Sequence, residues 1–172
     1  MKNELKVVSD FLLAATNLKI INIIDVGVNK KYHASQFYVS NLLFEFRVAN
    51  ITPKKQGGFV ALWKKILGAS GVKVNIPYAL SDFNFCIIYI GDVINSGLFI
   101  FTNSVLQDQK ILSSNNRGGK LGFRIYPKWV NLKSEAAQNT QSWQQKYFIN
   151  FADSQEENIV KLKSILNQEI LQ

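Results

Sequence analysis

Apolar positions recur at helical spacing near the start of the chain. Leu5, Val8, Leu12 and Leu13 fall on one face, and Ala14 and Ala15 favour helix, so residues 3–17 are predicted helical. The Ile-rich run Lys19–Val26 then reads as a strand, followed by a polar loop through Asn29, Lys30 and Lys31. Phe37–Val39 and Leu42–Ala49 form a predicted hairpin across Ser40-Asn41. After Phe44 the second arm alternates apolar with polar, the period-two pattern of a half-buried strand. Turn residues break the pattern from Thr52 to Gly58.

Phe59–Ile66 is a short strand or helix that periodicity does not decide. Phe85–Gly91 and Gly97–Thr102 read as strands joined by a turn over Asp92–Ser96, with Ser104–Lys110 a short helix or turn and Leu121–Pro127 a further strand. Ser134–Asn150 and Ser154–Leu171 are predicted helices. Each starts with a serine suited to the N-cap, and Glu157 stands at capping-box spacing from Ser154. Helix, mostly antiparallel strands, then helices is an α+β order rather than a βαβ alternation. Arg47 and Arg124 are expected on the open face of such a sheet.

The 172 residues suit a single domain over 1–172, and 47% hydrophobic residues, with twelve Phe, six Tyr and three Trp, supply a core. The longest apolar run, Phe85–Ile90, is far shorter than the roughly 20 residues a membrane helix needs, and no signal peptide is evident. A cytoplasmic location without membrane insertion is expected. Cys86 is the only cysteine, which excludes an intrachain disulfide and a multi-cysteine zinc site and reads as a buried, inert thiol.

Charge adds more. The formal net charge is +8, and it is unevenly placed. Lys54, Lys55, Lys64, Lys65 and Lys73 follow one another with no acid between them, as do Arg117, Lys120, Arg124, Lys128 and Lys133. Such stretches concentrate polyanions. Glycines around Arg117–Phe123 permit close approach of a backbone, Arg and Lys supply phosphate donors, and Tyr126 and Trp129 offer rings for bases. The predicted nucleic-acid contacts are Arg47, Thr52, Lys55, Lys64, Lys120, Arg124, Tyr126 and Trp129.

Catalytic signals are sparse. No phosphate-binding glycine loop is present, and His33 is the only histidine, with no nucleophile elbow beside it. Asp25, Glu45, Asp82, Asp92 and Asp108 are the carboxylates of the strand region. Glu45 and Arg47, two apart, share one strand face and suit a structural cross-strand pairing.

At these segments the chain resembles the MepB family, found in some bacteria encoded beside a multidrug efflux pump. The matching blocks are Tyr32-His33-Ala34 with Phe37; Phe46–Lys55 with Gly57; Phe59–Lys65; Phe99–Phe101 with Ser104–Leu106; Gly119–Trp129; and Gln138–Phe148. The resemblance implies a central mixed, mostly antiparallel sheet flanked by helices, like the restriction-endonuclease-like (PD-(D/E)xK) fold, and DNA handling. It brings no settled reaction. Where the family pattern leads to an acid before Tyr32 the chain has Lys30-Lys31, and where it leads to Lys after Ala49 the chain has Asn50. Both departures argue against a metal nuclease.

Three readings follow: a nucleic-acid-binding domain, with DNA the expected partner; a Mg2+-dependent nuclease with Asp25, Glu45 or Asp82 as ligands and Lys55 assisting; and a non-catalytic module for a protein or a small anionic ligand.

Overall fold

A computed structural model describes residues 3–26, 33–114 and 118–170. The expectations placed on Asn29, Lys30, Lys31, Tyr32 and Asn115–Arg117 lie outside the described residues.

Helix α1 (Asn3–Thr16) buries Leu5, Val8, Leu12 and Ala15, the face the periodicity predicts. Strand β1 (Ile20–Asp25) pairs antiparallel with β2 (Ser35–Val39), and β2 with β3 (Leu42–Val48) across the turn at Ser40. β3 then lies parallel to β8 (Phe85–Gly91), which pairs antiparallel with β9 (Ser96–Thr102). β11 (Phe148–Asn150) closes the far edge, giving a six-stranded mixed sheet of order β1-β2-β3-β8-β9-β11. The fold is therefore mixed α+β, with a central mixed sheet and flanking helices.

Alternation sorts the side chains of this sheet onto two covered faces. On one, Phe37, Phe44 and Phe85 stand in register on β2, β3 and β8. Their rings stack at centroid separations of 5.4 and 4.9 Å, beneath α1 and α4 (Gln155–Ile170). On the other, Cys86, Ile88, Ile90, Phe99 and Phe101 pack against a second, three-stranded sheet of order β10-β5-β4. That sheet comprises β4 (Asn50–Thr52), β5 (Lys55–Ala61) and β10 (Gly122–Ile125). It contributes Val60, Phe123 and Ile125 to the same cluster. A separate two-stranded ribbon, β6 (Lys64–Leu67) with β7 (Lys73–Ile76), follows β5.

Three expectations change. Residues 59–66 are not one element: β5 ends at Ala61 and the chain re-enters as β6. The ribbon was not foreseen, because its apolar Ile66, Leu67, Val72 and Val74 are all exposed, so no buried face imposes a period. Residues 134–150 are not one helix. α3 (Glu135–Gln144) ends in a 3-10 turn, and Phe148-Ile149-Asn150 becomes edge strand β11 because β9 offers an open ladder. The caps are as expected. The Ser134 hydroxyl accepts from the Ala137 N–H, and Ser154 and Glu157 bond reciprocally. The short helix α2 is Asn103–Asp108. Among the described residues, no helix is long and apolar enough to cross a membrane.

Cys86 is fully buried on β8, and burial pushes its thiol up to about 12. The reactive thiolate is therefore scarce at neutral pH. Native protein should resist dithionitrobenzoate at pH 8 and react only as urea unfolds it. Rapid labelling without denaturant would contradict this packing.

Candidate functional site

The carboxylate candidates come first. β3 directs Glu45 and Arg47 to the face beneath the second sheet, where Glu45 is 0% and Arg47 2% exposed. The two form an ion pair. Gln36 Nε2 donates to Glu45 Oε2 at 2.8 Å, across the β2–β3 register. Arg47 donates further to the Ala61 carbonyl (3.1 Å), the Phe46 carbonyl (2.9 Å) and the Tyr78 hydroxyl (3.2 Å). Burial raises the pKa of Tyr78 from its ordinary value, while the adjacent guanidinium opposes the shift. Arg47, expected to touch phosphate, is thus an internal strut. The pairing expected of Glu45 and Arg47 is made within one strand rather than across strands.

Asp82 sits beside this buried group. One of its oxygens takes Lys64 Nζ and the other the Ala79 N–H (2.7 Å), fixing the 3-10 turn Leu80–Asp82. Lys64, Lys65, Lys73, Tyr78, Gln36 and Asp82 line a cleft of about 420 Å³ between the ribbon and the edge of the main sheet. Asp25 is exposed at the end of β1. Asp92 accepts from the Ile94 and Asn95 N–H groups in the β8–β9 turn, and these bonds lower its pKa.

Both carboxylates already hold partners: a guanidinium stands beside Glu45, and each Asp82 oxygen accepts one hydrogen bond. Among the described residues, no three His, Cys, Asp or Glu side chains gather as a metal site. Lys55, expected to assist such a metal, lines different surfaces from Asp82.

The second sheet brings several of the other candidates together. Asn50, Phe59 and Arg124 stand opposite one another across β4, β5 and β10, so they share a face. Phe123 and Ile125 point to the core, and the alternation puts Arg124 on the outer side. Arg124 clamps the start of β5. Its Nε donates to the Gln56 carbonyl (3.0 Å), and its Nη2 reaches the carbonyls of Lys55 (3.2 Å), Gln56 (2.8 Å) and Gly57 (3.1 Å). Nη1 makes no hydrogen bond within the described residues. Gly57 allows the clamp: its φ is +72°, and a Cβ there would lie 2.5 Å from the Tyr126 ring.

Arg124 therefore borders two depressions. One, about 550 Å³, is lined by Asn50, Thr52, Lys54, Lys55 and Phe59. The other, about 330 Å³, lies between β10 and α3 and has Lys120, Tyr126, Thr140 and Trp143 among its walls. The Phe59 ring lies over Gly122, where a Cβ would come within 2.5 Å of it, and so joins the two. Lys54, Lys55 and Lys120 are exposed along this surface. Of the predicted contacts, Thr52, Lys55, Lys120, Arg124 and Tyr126 converge here. Lys64 lines the other cleft. Trp129 packs edge-on against Phe148 (5.4 Å) and lines a further depression with Lys55, Gly57 and Pro127.

Sequence reasoning missed Phe59, Thr140 and Trp143 as surface-forming residues. It also missed what holds α3 in place. Buried Gln144 accepts from the Tyr126 N–H and donates to the Arg124 carbonyl (2.8 and 2.9 Å), sealing the open edge of β10. Gln138, Gln141 and Gln145 extend the row to the carbonyls of Leu132, Pro127, Val130 and Tyr126. Their helical spacing was the available signal.

The sequence profile of the MepB-like family matches residues 27–150. A crystal structure of MepB superposes with a TM-score of 0.73 at 30% identity, covering 90% of this chain and 100% of that one. The structure of the bacterial homing endonuclease I-Ssp6803I gives a TM-score of 0.41 at 13% identity, covering 81% of this chain and 90% of that one. That likeness is too distant to bear on the chemistry. No curated protein sequence matches the chain.

Proposed function

The chain belongs to the MepB-like family, and from there we propose that it is a nucleic-acid-binding protein whose binding surface is the outer face of the β10-β5-β4 sheet. One observation carries the reading. Segments far apart in sequence place Lys54, Lys55, Lys120 and Arg124 along a single surface that also presents Phe59 and Tyr126. Cations spaced beside aromatic rings suit a sugar-phosphate chain with its bases laid against the sheet. DNA is the expected form. The restriction-endonuclease-like reading of the fold belongs to the same proposal. What supports it is the mixed sheet, with its parallel β3–β8 pair and α1 and α4 on one face.

The test is fluorescence polarisation with labelled single- and double-stranded DNA over a series of salt concentrations. Four phosphate contacts predict that log affinity for a single strand falls against log salt with a slope of about −3. Affinity independent of salt would overturn the proposal.

A further inference from the structure

We propose that the cavity between β10 and α3 takes one unstacked nucleobase of a bound single strand, an inference that rests on the nucleic-acid reading above. The cavity measures about 330 Å³, at the small end of ligand sites, which run from about 300 to 1,000 Å³. Its walls match a flat aromatic ligand. The Trp143 indole is backed by Phe101 at 5.4 Å and lines the cavity beside Tyr126. Tyr126 is held from behind, where Gly57 leaves room for its ring.

The polar groups suit the edge of a base. The Gln109 amide makes no hydrogen bond within the described residues, so it offers both a donor and an acceptor. The Thr140 hydroxyl donates to the Ala136 carbonyl (2.9 Å) and keeps lone pairs with which to accept. Lys120 and Arg124 stand in the same lining, Arg124 with Nη1 uncommitted, where they meet the phosphate attached to a base so placed.

An aromatic slot with a hydrogen-bonding end and cations in its lining is the chemistry of a nucleotide. Arg124 also borders the basic groove beyond Phe59, so the backbone of a strand continues from one depression into the other. A base inside a duplex would first have to unpair, so the site favours single strands.

The experiment compares a single-stranded oligonucleotide with one of equal length and charge built wholly from abasic sites. Native protein is expected to bind the intact strand about five- to a hundredfold more tightly, the range of base stacking on aromatic side chains. Thr140→Phe fills the cavity from a half-exposed position on α3. It should reduce that preference to below about twofold and leave the salt dependence unchanged. Adenosine monophosphate at millimolar concentration should compete with the intact strand and leave the abasic one bound.

Equal binding of both strands with a steep salt slope would overturn the base cavity and leave the charged surface standing. Loss of all binding at low salt would remove both. Thr140→Phe retaining the native preference would also overturn the cavity, and so would adenosine monophosphate binding as tightly as the strand, which would assign the site to a free nucleotide. Should Thr140→Phe fail to fold, Gln109→Ala, at an exposed position, replaces it and should halve the preference or more.

Discussion

Arg47→Ala is expected to lower the free energy of unfolding by about 3–5 kcal/mol, the scale for removing one partner of a buried ion pair. The guanidinium answers Glu45, which is 0% exposed and keeps only Gln36 in its absence. It also satisfies the Ala61 carbonyl, which ties β3 of the main sheet to β5 of the second, and the Tyr78 hydroxyl. The truncation therefore strands a charge and loosens the contact between the two sheets. A domain has about 5–15 kcal/mol in all, so the loss is a large share. Urea unfolding followed by tryptophan fluorescence should show the midpoint drop by roughly 2 M at an m-value of about 2 kcal/mol per M. The double variant Glu45→Gln/Arg47→Met leaves no charge buried alone and should recover most of the loss. A single-variant shift below about 1 kcal/mol would mean that the pair is not holding the sheets together.

That pair shows how far the sequence could be read. The alternation in β3 put Glu45 and Arg47 on one face, and the structure agrees. The alternation could not say whether water or protein covered that face. The cover is β4, β5 and β10, and β10 follows β3 by some seventy residues of sequence, a placement set by tertiary packing rather than local pattern. The lysine stretch from 54 to 73 was read as one cluster. The break at Leu62-Trp63 between β5 and β6 divides it, with Lys54 and Lys55 on the outer sheet face and Lys64, Lys65 and Lys73 at the ribbon cleft. Trp129 and Tyr126 looked alike as aromatic residues near basic ones. The chain turns over Pro127–Val130, so Tyr126 faces α3 while Trp129 packs on Phe148 and lines a separate depression with Lys55. The family was legible because its blocks, such as Gly119–Trp129, carry these turns and clamps together.

Replacing Lys54, Lys55 and Lys120 together with glutamine is expected to weaken single-stranded DNA binding at 50 mM salt by about two to three orders of magnitude. Each phosphate contact on a single strand contributes about 0.7 to the salt slope. Three lost contacts flatten it by about 2, which over the 1.3 decades from 1 M down to 50 mM gives roughly that loss. Arg124 is left in place because its bonds to Lys55, Gln56 and Gly57 shape β5, and removing it would confuse fold with charge. The exposed lysines carry no such duty, so the variant should unfold at the native urea midpoint. The decisive control is Lys64→Gln/Lys65→Gln/Lys73→Gln, which removes the same net charge from the ribbon cleft. If the outer sheet face is where the strand lies, this control flattens the slope by well under 1. If both triples weaken binding equally, the protein attracts nucleic acid through its overall charge, and no particular surface holds the strand.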